Sequence, residues 1–222
     1  MDRAKQASES IELGIALALS GGMMDAYSYV MRDKVFANGQ TGNIILFSIN
    51  VAERNFSTAF NYFCPIVAFV VGIIFAEAAR KKVGKRLHWR QTAVLIESII
   101  LFFVAFIPTD INLLASSLIS LVCGVQVESF RKIHGRALAT TMCLGNLRSG
   151  TQNIYEYIRY RNREKLKSSI IYYGVIIFFV IGAVLGNFLV NVFGIRAILF
   201  SSVLLLISFI IMFDDRENKN KK

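Results

Sequence analysis

The sequence predicts an all-α integral membrane protein: six transmembrane helices plus two short re-entrant helices, arranged as a 3+3 inverted repeat. Three observations predict it. Apolar residues come in blocks of about 20, the length that crosses a hydrocarbon core. Basic residues gather in the short connections that a six-span topology places on one face. The two halves of the chain also echo one another at a fixed spacing. Across 222 residues, 55% are hydrophobic and 18% charged, with two prolines and 18 phenylalanines. A soluble domain carries more charge and more turn residues.

The first block, 11–31, resembles a signal peptide in its opening half. Glu12 interrupts the apolar run and no small-residue cleavage site follows, so it reads as a retained first helix. The other blocks long enough to span are 57–79, 91–108, 111–130, 168–193 and 195–213. Residues 41–53 supply 13 residues, about 20 Å of helix at ~1.5 Å per residue. Residues 141–158 are longer but carry Asn146, Arg148, Gln152, Asn153 and Glu156. Neither segment suits lipid exposure.

Charge decides whether those two cross. With six spans and both termini cytoplasmic, 20 basic residues lie inside and four outside: Arg32, Lys34, Arg54 and Arg196. With eight spans the split is 12 to 12. The positive-inside rule selects six, with 41–53 dipping in from outside and 141–158 from inside. The same distribution argues against nucleic acid as a partner of this chain of net charge +10, because no basic face survives outside the loops.

The halves, 11–108 and 111–213 of one membrane domain spanning 1–222, align at an offset of 103. Gly21 meets Gly124, Gly42 meets Gly145, Asn43 meets Asn146, Asn50 meets Asn153 and Glu53 meets Glu156; Asp25 falls on Glu128. Further on, residues 70–75 resemble 180–185 at an offset of 110. Three spans per half is odd, so the second half runs inverted. Inverted repeats with interrupted helices are a transporter and channel architecture.

Candidate pathway residues follow from polarity at membrane depth. Asp25 marks a cavity, a proton site or a cation site, or else caps a neighbouring backbone. Thr41-Gly42-Asn43 and Gly145-Asn146 open the two short helices. Helix starts near the midplane present free N–H groups and a positive dipole end to a polar or anionic solute, while at the interface they are ordinary caps. Glu97 pairs with a basic neighbour or relays protons, and Glu128 stands near the basic inner loop. Arg148 reaches Asp25 or Glu128, contacts an anion, or snorkels. Asn50 and Asn153 line the pathway or bond between helices. Glu77 reads as a surface ion pair beside Arg80, and the 182–186 glycines as close helix packing. Cys64, Cys123 and Cys143 have no metal spacing and read as small buried hydrophobes.

The segments 21–30 (GGMMDAYSYV) and 35–47 (VFANGQTGNIILF), echoed around 123–146, resemble the YoaK family of bacterial membrane proteins. That resemblance implies a polytopic protein of the inner membrane and supplies no reaction. No enzyme signature appears: His88 and His134 lie in basic loops without metal-ligand spacing, and neither a nucleophile elbow nor a phosphate loop is present. The expectation is therefore a non-enzyme without cofactor or metal, embedded in the lipid bilayer and passing a small solute. A homodimer fits a chain short for alternating access by itself. The alternatives are a membrane-embedded enzyme and a non-transporting scaffold.

Overall fold

The computed structural model describes residues 10–82, 86–133 and 135–212. The side chains of Lys82, Arg86 and His88, together with Lys85, His134 and the basic tails at both ends, lie outside the described residues.

Among the described residues, eight α-helices follow in order: α1 (Ile11–Met31), α2 (Gln40–Ala52), α3 (Phe56–Lys82), α4 (Arg86–Val104), α5 (Asn112–Ser129), α6 (Cys143–Tyr160), α7 (Arg163–Phe193) and α8 (Ile198–Ile211). Their boundaries have local causes. Ser10 caps α1 by accepting from the Leu13 amide at 3.1 Å. Asn162 caps α7 by accepting from the Glu164 amide at 3.0 Å. That cap lets α7 begin at Arg163, inside the basic stretch rather than at 168, because charged residues continue a helix readily once it leaves the apolar layer. Gly194, at φ 56°, then breaks the chain between α7 and α8. At the far end of α4 the helix stops at Val104, four residues short of the expected 108, and Pro108 precedes a 3₁₀ turn at Thr109–Ile111.

The expectation of an all-α chain needs one correction. Between α5 and α6 lies a small antiparallel hairpin, β1 (Lys132–Ile133) with β2 (Arg136–Ala137), turning at Gly135 with φ 75°. Four residues of ladder carry no periodic pattern to read, and a positive-φ turn of this kind suits glycine.

Three helical runs among the described residues are long and apolar enough to cross a membrane: Phe56–Lys81, Thr109–Ser129 and Arg163–Ile211, the last including the break at Gly194. Helix α1 packs along α7 and against α8, while α5 packs along α3 and against α4; α2 lies on α3, α6 lies on α7, and α4 meets α8. One core draws on α1, α4, α5 and α8, with Leu17, Met24, Val94, Leu101, Ile119 and Leu205 fully enclosed. The outward faces carry large apolar side chains, such as Ile74, Phe103, Val184 and Phe188, each more than 60% exposed. Such a surface needs lipid around it.

Glycine sets the two tightest helix crossings. A methyl on Gly22 would strike the Phe179 carbonyl and one on Gly182 the Leu19 carbonyl, so α1 and α7 touch backbone to backbone. Gly124 and Gly72 do the same for α5 and α3, against the carbonyls of Phe69 and Leu121. This is the small-residue packing that associates helices in lipid.

Candidate functional site

The interior site begins on α1. Asp25 Oδ1 accepts the Asn38 amide at 2.7 Å, just ahead of α2. Asp25 thus holds the backbone one residue ahead of the α2 N-cap, Gly39, from another helix, the structural alternative of the two readings of this residue. Asn43 then fastens the loop. Its Oδ1 accepts the Phe36 amide at 2.9 Å, and its Nδ2 donates to the Phe36 carbonyl at 2.8 Å. Gly42 is required by packing, because a methyl there would meet the Phe36 ring at 2.8 Å.

The second half repeats part of this. Asn146 Nδ2 donates to the Ala139 carbonyl at 2.7 Å, holding the chain ahead of α6 as Asn43 holds the chain ahead of α2. The two leading segments converge on one α1 residue. Asn38 Nδ2 donates to the Gly21 carbonyl at 3.2 Å, and the Thr141 side chain lies where a Gly21 methyl would stand. Helix α6 has no carboxylate cap; its N-cap is Met142, with no side-chain bond to the helix. Beside that bare start is a cavity of about 330 Å³, lined by Glu128, Arg131, Met142, Gly145 and Asn146 among others.

Polar capacity in the interior is not used up. Glu97 is 1% exposed, on the α4 stripe shared with Val94, Leu101 and Val104, and neither of its oxygens has a protein partner. The hydroxyls of Ser20, Ser120, Thr141 and Ser201 and the amide oxygen of Asn38 are likewise buried without one. Orphaned polar atoms are costly in a dry interior, so each of these calls for water, an ion or a solute.

Other expected site residues fall elsewhere. Helix α2 starts at Gln40, and Thr41 is exposed rather than capping it. Asn50 Nδ2 and Asn153 Nδ2 donate to the Leu46 and Ser149 carbonyls of their own helices, at 2.8 and 2.7 Å, so neither bonds between helices. Glu128 pairs with Arg131 at 2.6 Å and Arg80 at 3.8 Å, in a cluster that also takes in Glu77 and Lys81. Arg148 is exposed and reaches neither Asp25 nor Glu128; among the described residues it makes no ion pair. The short helices themselves lie outward, each on the third helix of its own half. Each buries little of itself, Asn43 on α2 and Asn146 and Gly150 on α6, and the segments leading into them reach the interior.

Sequence reasoning missed Arg32, which is fully enclosed. Its guanidinium donates to the Val104, Ile107 and Pro108 carbonyls, to Tyr27 Oη and to Asn112 Oδ1, at 2.8 to 3.3 Å. A cation thereby closes the C-terminal end of α4, where free carbonyls and the dipole favour positive charge. The available signal was its place among the few basic residues that the six-span reading puts outside, where the positive-inside rule disfavours them.

Comparison with known proteins bears on the whole chain. A family profile described as protein of unknown function (DUF1275) matches residues 13–211. UPF0700 transmembrane protein YoaK of Bacillus subtilis (strain 168) is 26% identical over 181 residues, covering 76% of this chain and 79% of that protein. No solved structure matches.

Proposed function

The chain belongs to the DUF1275 family of membrane proteins, and we propose that it is a transporter or channel for a small polar or anionic solute. In this reading it sits in the bacterial cytoplasmic membrane with both termini inside. Six spans form a 3+3 inverted repeat, and α2 and α6 re-enter from opposite faces.

Three regularities support the repeat. Exchanging α1–α4 for α5–α8 in order turns the α1–α7 packing into α5–α3, α1–α8 into α5–α4 and α2–α3 into α6–α7. The crossing glycines exchange likewise, Gly22 with Gly124 and Gly182 with Gly72. Ser98 and Ser202 hydrogen-bond reciprocally where α4 meets its own counterpart. The glycine pairing sets an offset of 102 within α1 and α5, which puts Val127, not Glu128, opposite Asp25.

The observation that carries the solute pathway is the convergence of Asn38 and Thr141 on Gly21, with unpartnered polar atoms on both. A non-transporting scaffold has no use for orphaned polar groups at the junction of its two halves. The asymmetry between the halves supports the solute's seat. Asp25 already accepts a backbone amide of the segment leading into α2, whereas the start of α6 stands bare beside a cavity with Glu128 and Arg131 in its wall. Anionic or polar groups bind such ends.

Swelling of reconstituted vesicles in a panel of small neutral, anionic and cationic solutes tests this. At least one neutral or anionic class enters faster than into empty vesicles. Gly145→Phe, at a position where a methyl meets nothing within 4 Å, fills the cavity and stops that entry with the fold intact. Permeation equal to empty vesicles across the panel removes the function. Undiminished entry through Gly145→Phe moves the seat elsewhere.

A further inference from the structure

A second cavity lies apart from the junction at Gly21, where α3 and α5 end and α4 begins. It encloses about 240 Å³ and is lined by Arg80, Trp89, Arg90, Glu128, Ser129, Arg131 and Lys132. Four cations face one carboxylate. Arg131 and Arg80 are engaged with Glu128 and Glu77, so the carboxylates fix these two cations in place, while Lys132 makes no ion pair among the described residues. Arg90 Nε donates to the Ser129 carbonyl at 3.0 Å, which ties the start of α4 to the end of α5.

Two further donors in the wall have no partner among the described residues. The Trp89 indole N–H and the Ser129 hydroxyl are buried, each residue 5% exposed, and neither makes a hydrogen bond. Tryptophan at the end of an apolar helix belongs to the headgroup layer, where its ring sits in apolar surroundings and its N–H finds a polar partner. A buried indole N–H beside a cationic hollow is suited to an oxyanion.

We propose that this hollow binds a phosphate group, and that the phosphate is the headgroup of an anionic membrane lipid. The observations that point to a lipid are depth and wall. The lining residues end helices whose outward faces carry bare apolar side chains, and a headgroup phosphate arrives at that level already concentrated by its bilayer. Basic pockets at helix ends on the cytoplasmic side recognise anionic headgroups in this way. The hollow shares Glu128 and Arg131 with the wall of the cavity beside α6, but Trp89, Ser129 and Lys132 belong to it alone and none of its residues reaches the junction at Gly21, so binding at those three is tested apart from solute passage.

Trp89 is the single tryptophan of the chain, so its fluorescence reports this cavity alone. Protein in neutral detergent is titrated with phosphatidylglycerol, with phosphatidylcholine and with inorganic phosphate. Phosphatidylglycerol changes the emission saturably, and phosphatidylcholine does not. Lys132→Gln, which removes one cation and none of the ion pairs above, weakens the midpoint about fivefold, and Ser129→Ala weakens it too while leaving lipid-free thermal stability unchanged. Equal responses to the two lipids, or midpoints unmoved in both variants, overturn the proposal. Saturation by inorganic phosphate at the same midpoint as the lipid keeps the phosphate site and overturns its lipid source.

Discussion

Ser98 and Ser202 exchange hydrogen bonds in both directions: Ser98 Oγ donates to the Ser202 carbonyl at 2.9 Å, and Ser202 Oγ donates to the Ser98 carbonyl at 2.7 Å. Both residues are at least nine-tenths buried. Each serine satisfies a carbonyl that its own helix has already used once, so the pair fixes the register of α4 on α8. Ser98→Ala and Ser202→Ala each lower stability by roughly 0.5–1.5 kcal/mol, since the partner retains its own donor bond. The double variant costs less than the sum, because the two hydroxyls also lie 3.1 Å apart. Thermal unfolding of the four proteins in one detergent measures the coupling; strict additivity means that the hydroxyls act independently.

Gly22 and Gly124 are the positions where substitution moves backbone. A methyl on either would lie within van der Waals overlap of a carbonyl on the facing helix, and neither carbonyl can rotate away. Gly22→Ala and Gly124→Ala therefore separate α1 from α7 and α5 from α3, at roughly 1–3 kcal/mol each. Gly174→Ala is the control, since nothing lies within 4 Å of its methyl, and it stabilises α7 by about 0.5–1 kcal/mol. Melting temperatures that fall for the first two and rise for the third are expected. A tolerated Gly22→Ala would mean that α1 and α7 do not approach as closely as described.

Arg32 serves three backbone carbonyls, one phenol and one amide with a planar fork of five N–H groups. Lysine keeps the charge and supplies three donors from a single atom, which cannot reach both Pro108 and Val104 while holding Tyr27. Arg32→Lys thus leaves buried carbonyls bare and costs roughly 2–5 kcal/mol. Limited proteolysis within residues 105–111 checks this directly. The link between α4 and α5 becomes cleavable in the variant, and unchanged resistance would show that the guanidinium is dispensable.

What the sequence disclosed follows from where its information is periodic. Apolar blocks and loop charge locate the eight helices, because lipid tolerates few alternatives to a helix. The convergence on Gly21 was legible in part, through the polar residues shared by 21–25, 41–43 and 145–146. Capping geometry was not. Asp25 and Thr41 both have the chemistry of a cap, and only the path of the chain brings Asp25 to the backbone ahead of α2. The Arg32 clamp joins residues 72 to 80 positions apart, a distance over which no local pattern runs.

Glu156 joins α6 to α7 through Lys165. The hydrogen bond from Lys165, followed by that from Gln152, holds its carboxyl below the usual glutamate value of 4.5. A carboxyl depressed in the fold contributes stability above its unfolded value and loses it as pH falls through the folded one. The wild type therefore outlasts Glu156→Gln near neutrality, and the gap closes on acidification below about pH 4.5. Melting temperatures of both proteins across that range read the effect; a gap that persists in acid would assign it to shape rather than charge.

Glu97 separates stability from function. Its carboxyl lies among Val94, Leu101 and Val104 with both oxygens unpartnered, an arrangement that weakens a folded core. A residue kept only for packing at this position would be leucine or methionine. Glu97→Gln keeps the shape, and Glu97→Met removes the polar atoms altogether. If the carboxyl serves the pathway, Glu97→Met matches or exceeds the wild type in melting temperature, as replacement of an unpartnered buried polar group by an apolar side chain does. Both variants then lose vesicle entry of the solute class that the wild type admits. Loss of stability together with retained entry would reverse the assignment, making Glu97 part of a hydrogen-bonded core and leaving the pathway to Asn38 and Thr141.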